Sequence, residues 1–234
     1  MTHPFNDVLV VGAGPSGLLL SLLLSQHGIH THILEAVHAM DPRPRAAVYG
    51  PAALPDLKRA GVLDEVRARG ITLSNMTWRH FSDHSVITGY DSSVLRDVGG
   101  EDWRMTCLPL CELNQLMLDV YIGEYNGKVS WGHKVVDVGQ DGQKAWVEAE
   151  TGGGKARFKA DYVVGCDGAN SQVRRSLFGD DFPGFTSDAQ IIATDVRPHF
   201  RTAQHATNAS RRISTLTSMT SATLASSSTQ TTST

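Results

Sequence analysis

The sequence predicts an α/β protein built on a parallel sheet, and three observations carry that reading. A β-branched apolar run, Asp7-Val-Leu-Val-Val11, leads straight into the turn Gly12-Ala-Gly-Pro-Ser-Gly17. An apolar stretch, Leu18 to Leu24, follows as a helix that ends near Gly28. A second strand, Thr31-His-Ile-Leu34, then closes on an acid, Glu35. Strand, G-x-G-x-x-G turn, helix, strand and acid in this order form the first unit of a Rossmann-like dinucleotide-binding sheet.

Each residue of that unit has a physical task. Gly12 allows the tight turn, Gly14 lets the backbone approach a diphosphate, and Gly17 lets the helix pack close to the strand. Pro15 and Ser16 open the helix, whose free N–H groups and positive dipole end favour an anion. Glu35 is placed to accept hydrogen bonds from ribose hydroxyls. A molecule with an adenosine diphosphate end is the expected ligand.

Composition sets the outer bounds. The chain has 234 residues, 41% hydrophobic and 19% charged, enough for one large domain or two small ones. A net charge of −3 gives no reason to expect nucleic acid or an anionic membrane as a partner. The leucine-rich helix is shorter than the ~20 apolar residues a bilayer span needs. It has no basic leader or cleavage site, so it does not read as a signal peptide. Cys107, Cys111 and Cys166 form an odd set without disulfide spacing, and a reducing, cytoplasmic setting is expected.

Beyond Glu35, the prolines of Met40-Asp-Pro-Arg-Pro-Arg-Ala-Ala47 favour an extended loop carrying Arg43 and Arg45. Pro51 to Gly61 reads as a short helix stopped by Gly61, and Val62 to Arg69 as another helical turn. Thr72 to Trp78 and Ser85 to Thr88, around a polar turn at Ser82-Asp83, read as the start of an antiparallel sheet. Cys111 to Tyr121 carries Leu113, Leu116, Met117 and Val120 at helical spacing. Val129–Val138 and Lys144–Ala149 read as a hairpin turning at Gln140-Asp-Gly-Gln, with a further turn at Gly152-Gly-Gly154. Tyr162 to Cys166 is a buried strand, and Asp167-Gly-Ala-Asn-Ser-Gln-Val-Arg-Arg175 a turn opening a helix. Asp188 to Val196 is one more expected strand.

From about Arg197 the character changes, and more than half of residues 202–234 are serine or threonine. Such a segment has too little apolar surface to offset its ordering entropy, so disorder is expected. A glycosylated stalk is the alternative, disfavoured without a secretory signal. The expected organisation is residues 1–196 as a dinucleotide-binding domain, interrupted over about 71–105 by part of a substrate sheet, and 197–234 as a tail.

The set Gly12-x-Gly-x-x-Gly17, Glu35, Arg45 and Cys166-Asp-Gly-Ala-Asn-Ser-Gln-Val-Arg174 resembles the FAD-dependent aromatic hydroxylases. These are single-component flavoprotein monooxygenases akin to para-hydroxybenzoate hydroxylase and phenol 2-monooxygenase. Pro44-Arg-Ala46 and the run Leu108 to Leu118 look closest to the fungal phenol-hydroxylase type. The resemblance covers roughly Asn6 to Val196. It implies FAD as cofactor, NADPH as electron donor, and hydroxylation of a small aromatic substrate with O₂. It also implies that Asp167 and Gly168 lie beside the FAD diphosphate and that Arg45 reaches the flavin side. The residue reading of the second motif, an Asp-Gly turn with an Asn/Ser helix cap, holds alongside.

Three departures from the family pattern stand out. Leu110 occupies the place of a Gln or Arg that contacts the ribityl chain. A third motif, Gly-Asp-Ala-x-His, is missing; Gly179-Asp180 runs into Asp181-Phe-Pro183 instead. The pattern breaks near Val196, which suggests a truncated or frame-shifted product. A truncated, inactive FAD-binding remnant and another FAD-dependent oxidoreductase are therefore the rival readings. No catalytic base can be named, no metal site is expected from His27, His30 and His32, and Cys107 with Cys111 lacks a second pair for zinc.

Overall fold

The computed structural model describes residues 7–43, 48–73, 75–80, 82–91, 93–100 and 103–185. The expected strand over Asp188–Val196 and the serine/threonine-rich tail lie outside them, as does Arg45. Strand β1 (Asp7–Val11) enters helix α1 (Pro15–Gln26), which returns to β2 (His30–Glu35). β1 is flanked by β2 on one side and by β12 (Tyr162–Gly165) on the other, both parallel. β8 (Lys128–Trp131) extends the sheet beyond β2, again in parallel, to give the order β12-β1-β2-β8.

Parallel strands of this kind are buried on both faces, and β1 shows why its residues are apolar without alternation. Val8 and Val10 point into one core, with Leu18 and Leu22 of α1 and Leu113, Met117 and Tyr121 of α5 (Leu110–Tyr125). Leu9 and Val11 point into the other, with Leu34, Val135, Val147 and Ala149. That second face is covered by an antiparallel sheet of β9 (Lys134–Gln140), β10 (Ala145–Thr151) and β11 (Gly154–Ala160), in the order β11-β10-β9. The result is three layers: helices, parallel sheet, antiparallel sheet.

One expected strand is in fact two. Val129–Val138 breaks at Gly132, whose positive φ of 68° turns the chain out of the parallel sheet. Its first part joins β2 as β8, and its second crosses to the other layer as β9. Apolar spacing runs on through the break, so the pattern alone does not show it.

The short helices α2 (Leu54–Arg59) and α3 (Leu63–Arg69) bury Leu54, Leu57, Leu63 and Val66 in the helical-side core. Three two-residue strands, β3 (Val48–Tyr49), β7 (Thr106–Cys107) and β4 (Ile71–Thr72), pair antiparallel around them. The hairpin of β5 (Asn75–Arg79) and β6 (Val86–Asp91) is a separate unit, with the turn at Ser82-Asp83 where the sequence places it. Helix α4 (Ser93–Gly99), which the spacing does not announce, begins the return to the main unit. No helix of the described residues is long and apolar enough to cross a membrane.

Two polar features sit inside this framework. The Tyr121 hydroxyl, fully buried, donates to the Thr31 carbonyl at 2.7 Å and lies 2.8 Å from Thr31 Oγ1. It ties α5 to β2 where no water reaches. Tyr121→Phe removes that donor, and with it the acceptor that the Lys128 N–H meets at 3.3 Å, and is expected to cost about 1–3 kcal/mol, read by urea unfolding. A loss below about 0.5 kcal/mol would show that the tie is energetically idle.

The second is His32, whose Nε2 lies 2.8 Å from Ser130 Oγ, with its ring edge-on to Phe158. Burial first, then Lys128 and His133, lowers its pKa from 6.5 to about 4. The folded state therefore binds fewer protons than the unfolded one between these values, and stability falls as pH drops from 6.5 towards 4. His32→Gln should flatten that part of the unfolding-versus-pH curve; an unchanged slope would remove His32 as its cause.

Candidate functional site

The turn after β1 is shaped by two close approaches of backbone to backbone. A Cβ on Gly17 would stand 2.0 Å from the Gly12 carbonyl oxygen, and one on Gly12 would stand 2.5 Å from the carbonyl oxygen of Cys166. Gly12 also has φ of 105°, which disfavours any side chain. These two glycines are demanded by the fold. Gly14 is not: its φ is −73°, and a Cβ there would meet nothing within 4 Å. That open space faces the start of α1, which has no side-chain cap and no acid in its first turn. Pro15 at the first helical position needs no acceptor, and the N–H groups of the following turn point outward for an anion.

Glu35 ends β2 beside this turn. Its Oε2 accepts from the Ala13 N–H at 2.7 Å, and its Oε1 from the Val37 N–H at 3.0 Å. The acid predicted to take ribose hydroxyls thus also clamps the glycine turn, with lone pairs left for a ligand. Asp167 has a similar double life. Its Oδ1 accepts from Ser171 Oγ at 2.6 Å, and its Oδ2 from the Gln172 and Val173 N–H groups at 2.6 and 3.2 Å. It caps helix α6 (Gln172–Phe178), while Ser171 Oγ accepts from Arg174 N–H at 3.0 Å. Gly168, with φ of 82°, makes the turn between them.

These elements close on one cleft of about 590 Å³ at the C-terminal ends of the parallel strands. Gly12 to Ser16, Glu35, Asp167 and Gly168 line it. Strand β1 delivers the glycine turn, β2 delivers Glu35, and β12 delivers Asp167, so adjacency in the sheet brings together residues far apart in sequence. Gly17 lies behind the turn, in the core. Arg43 reaches the rim but is held by Asp41, its Nε and Nη2 at 2.7 to 3.0 Å from the carboxylate. Further wall comes from Leu110, Cys111 and Asn114 of α5, from Trp131 and His133 to Val135, and from Asn170, Gln172 and Arg175 beyond the Asp167-Gly168 turn.

Of these, Asn114, Trp131 and His133 were not foreseen. Trp131 and His133 flank the break between β8 and β9, so the signal for them is Gly132. The signal for Asn114 is a polar residue inside a helix face that is otherwise leucine and methionine. Leu110, singled out by resemblance, is the first residue of α5. Cys166 lines the cleft, but burial, then the charge of Asp167, raises its pKa and keeps it protonated. Among the described residues no group of three His, Cys, Asp or Glu is placed to hold a metal ion.

A cradle of glycines under a helix start, with an acid at the end of the neighbouring strand, defines a dinucleotide-binding α/β protein. The chain belongs to the FAD binding domain family, which it matches over residues 6–232. It is similar to para-nitrophenol 4-monooxygenase of Pseudomonas sp. (strain WBC-3), with 34% identity over 82% of this chain and 47% of that protein. It is equally similar to 6-hydroxy-3-succinoylpyridine 3-monooxygenase HspB of Pseudomonas putida, 34% identical over 82% of this chain and 49% of that one. Among solved structures it superposes on p-nitrophenol 4-monooxygenase PnpA from Pseudomonas putida DLL-E4. The TM-score is 0.69 at 29% identity, over 80% of this chain and 46% of that one. It superposes also on aklavinone-11 hydroxylase solved with FAD and aklavinone, with a TM-score of 0.64 at 26% identity over 76% and 35% of the two chains. The chain spans about half the length of the two Pseudomonas monooxygenases named first.

The clamp made by Glu35 can be weighed by itself. Glu35→Ala removes a charged acceptor from two backbone N–H groups at the site's edge. It is expected to destabilise the ligand-free chain by about 1.5 kcal/mol, read from chemical unfolding. Unchanged stability would mean that water replaces the carboxylate at no loss.

Proposed function

We propose that this chain holds FAD in the cleft and belongs to a monooxygenase that hydroxylates a phenolic or other small aromatic ring, with NADPH as reductant and O₂ as oxygen source. The observation that carries the proposal is the open space at Gly14. It sits on an uncapped helix start between Glu35 and the Asp167-Gly168 turn, where a diphosphate fits and a side chain has no structural reason to be excluded. FAD, when bound, supplies the redox chemistry. The residues supply position. The turn from Gly12 to Ser16 and the first N–H groups of α1 hold the diphosphate, and Glu35 takes the ribose hydroxyls with its remaining lone pairs. Asp167 and Gly168 keep the third side of the cleft in place, and Arg45 is assigned to the flavin side. Among the described residues of the cleft no Ser or Cys is hydrogen-bonded to a His, which suits a reaction whose difficult step belongs to the cofactor. The aromatic substrate follows from the relatives, whose names state aromatic or pyridine-ring monooxygenation.

Gly14→Val tests the cofactor assignment. The valine has room in the ligand-free fold and an allowed backbone conformation, so the only expected loss is that of a poorer N-cap, about 1 kcal/mol. FAD retention, followed by quenching of flavin fluorescence, should be lost. Retention at parental affinity would remove the diphosphate from this turn. The activity is tested by comparing NADPH consumed with hydroxylated product over a panel of simple phenols. Product in proportion to NADPH supports the hydroxylase reading for this chain. Peroxide without product favours the second reading, a cofactor-binding chain that does not couple turnover to hydroxylation; its support is the share of the relatives that the chain spans.

A further inference from the structure

Helix α5 packs its Leu113, Leu116, Met117 and Tyr121 into the core, and Asn114 is a polar residue in that buried row. It is 8% exposed, and its Oδ1 is screened from solvent and accepts no hydrogen bond. A buried carbonyl oxygen without a donor is uncommon in native proteins and calls for a specific partner. Asn114 also lines the cleft, together with Leu110 and Cys111. Residues 110 and 114 share one helix face, four positions apart. Neither Leu110 nor the Cys111 thiol is a strong donor, so this wall of α5 does not satisfy the oxygen by itself.

Resting on the proposal that FAD fills the cleft, we infer that Asn114 is the residue of α5 that binds the hydroxyl-bearing ribityl chain of the flavin. FAD carries two polyhydroxyl segments, one on each side of its diphosphate. Glu35 accounts for the ribose, and the ribityl chain is left needing acceptors on the opposite wall. A hydroxyl there donates to Asn114 Oδ1, directly after the carboxamide turns about its broad terminal torsion or through one trapped water. A carboxamide suits this task because a polyol offers both donors and acceptors, and either face of the amide finds a match.

The test uses the full chain, with FAD and ADP as separate probes. Asn114→Leu removes the orphan oxygen and keeps the branched outline of the side chain at a larger volume, with the open cleft beside it to take the added bulk, so the ligand-free unfolding midpoint should stay close to the parent's or rise. Its FAD dissociation constant should rise about tenfold or more, while that for ADP, which has no ribityl chain, stays within about twofold of the parent. Unchanged FAD affinity overturns the inference. So does an equal loss for FAD and ADP, which would make Asn114 a structural support of the turn. If the leucine variant does not fold, Asn114→Ala is judged by the same two ratios. A parent chain that binds neither FAD nor ADP refutes the cofactor reading itself, an outcome distinct from failure at Asn114.

Discussion

The contact on which the site depends is the one between Gly17 and the Gly12 carbonyl, tighter than any Cβ would allow. It brings the first turn of α1 down onto the end of β1 and fixes where the helix N-terminus points. Gly12 in turn lies against the Cys166 carbonyl, which sets the distance between β1 and the loop leaving β12. Two backbone-to-backbone approaches therefore position three loops. Hydrogen bonds continue the sheet into those loops, with Gly12 N–H donating to the Leu34 carbonyl at 2.8 Å and Cys166 N–H to the Val11 carbonyl at 2.7 Å. The floor of the cleft thus continues the hydrogen bonding of the sheet.

The three glycines of the turn consequently do different work, although the motif writes them alike. Gly12 and Gly17 are required by packing and would be required with no ligand. Gly14 is required by nothing in the protein. A glycine where a larger residue fits points outward to what fills the space. That difference is invisible in the G-x-G-x-x-G pattern and is decided by what a Cβ would meet.

Much of the fold was legible in the sequence for a physical reason: a parallel strand buried on both faces has to be apolar without alternation, and Val8 to Val11 and Ile33-Leu34 are. The helix of α5 was legible from Leu113, Leu116 and Met117 at helical spacing. The β8–β9 break was not, since Gly132 interrupts the backbone and leaves the apolar pattern running. Helix α4 was not, because Val94 and Val98 are exposed and leave no buried stripe to read. Within the site, the residues named by motif were found on the cleft, except Gly17 behind it and Arg45 outside the described residues. The far wall, Asn114 with Trp131 and His133, came from chain segments that meet only in three dimensions, and no local spacing encodes that meeting.

Two of the three carboxylates on the wall of a cleft meant for a diphosphate, Glu35 and Asp167, look like an electrostatic error; the third, Asp41, is paired with Arg43. Bare acids there would repel the ligand, and at the low effective dielectric of a cleft the repulsion would be large. The structure removes the difficulty by spending both. Asp167 faces the N-terminus of α6, where its charge is matched by the Gln172 and Val173 N–H groups and the Ser171 hydroxyl. Glu35 faces the Ala13 and Val37 N–H groups. Each acid stabilises a loop end by neutralising backbone dipoles, and each thereby presents less free charge to the cleft. The uncapped start of α1, with no acid in its first turn, then adds its positive end to the Lys134 and Arg175 side chains that also line the cleft. The same acids that complete the sequence motif make its anion site possible by being occupied elsewhere.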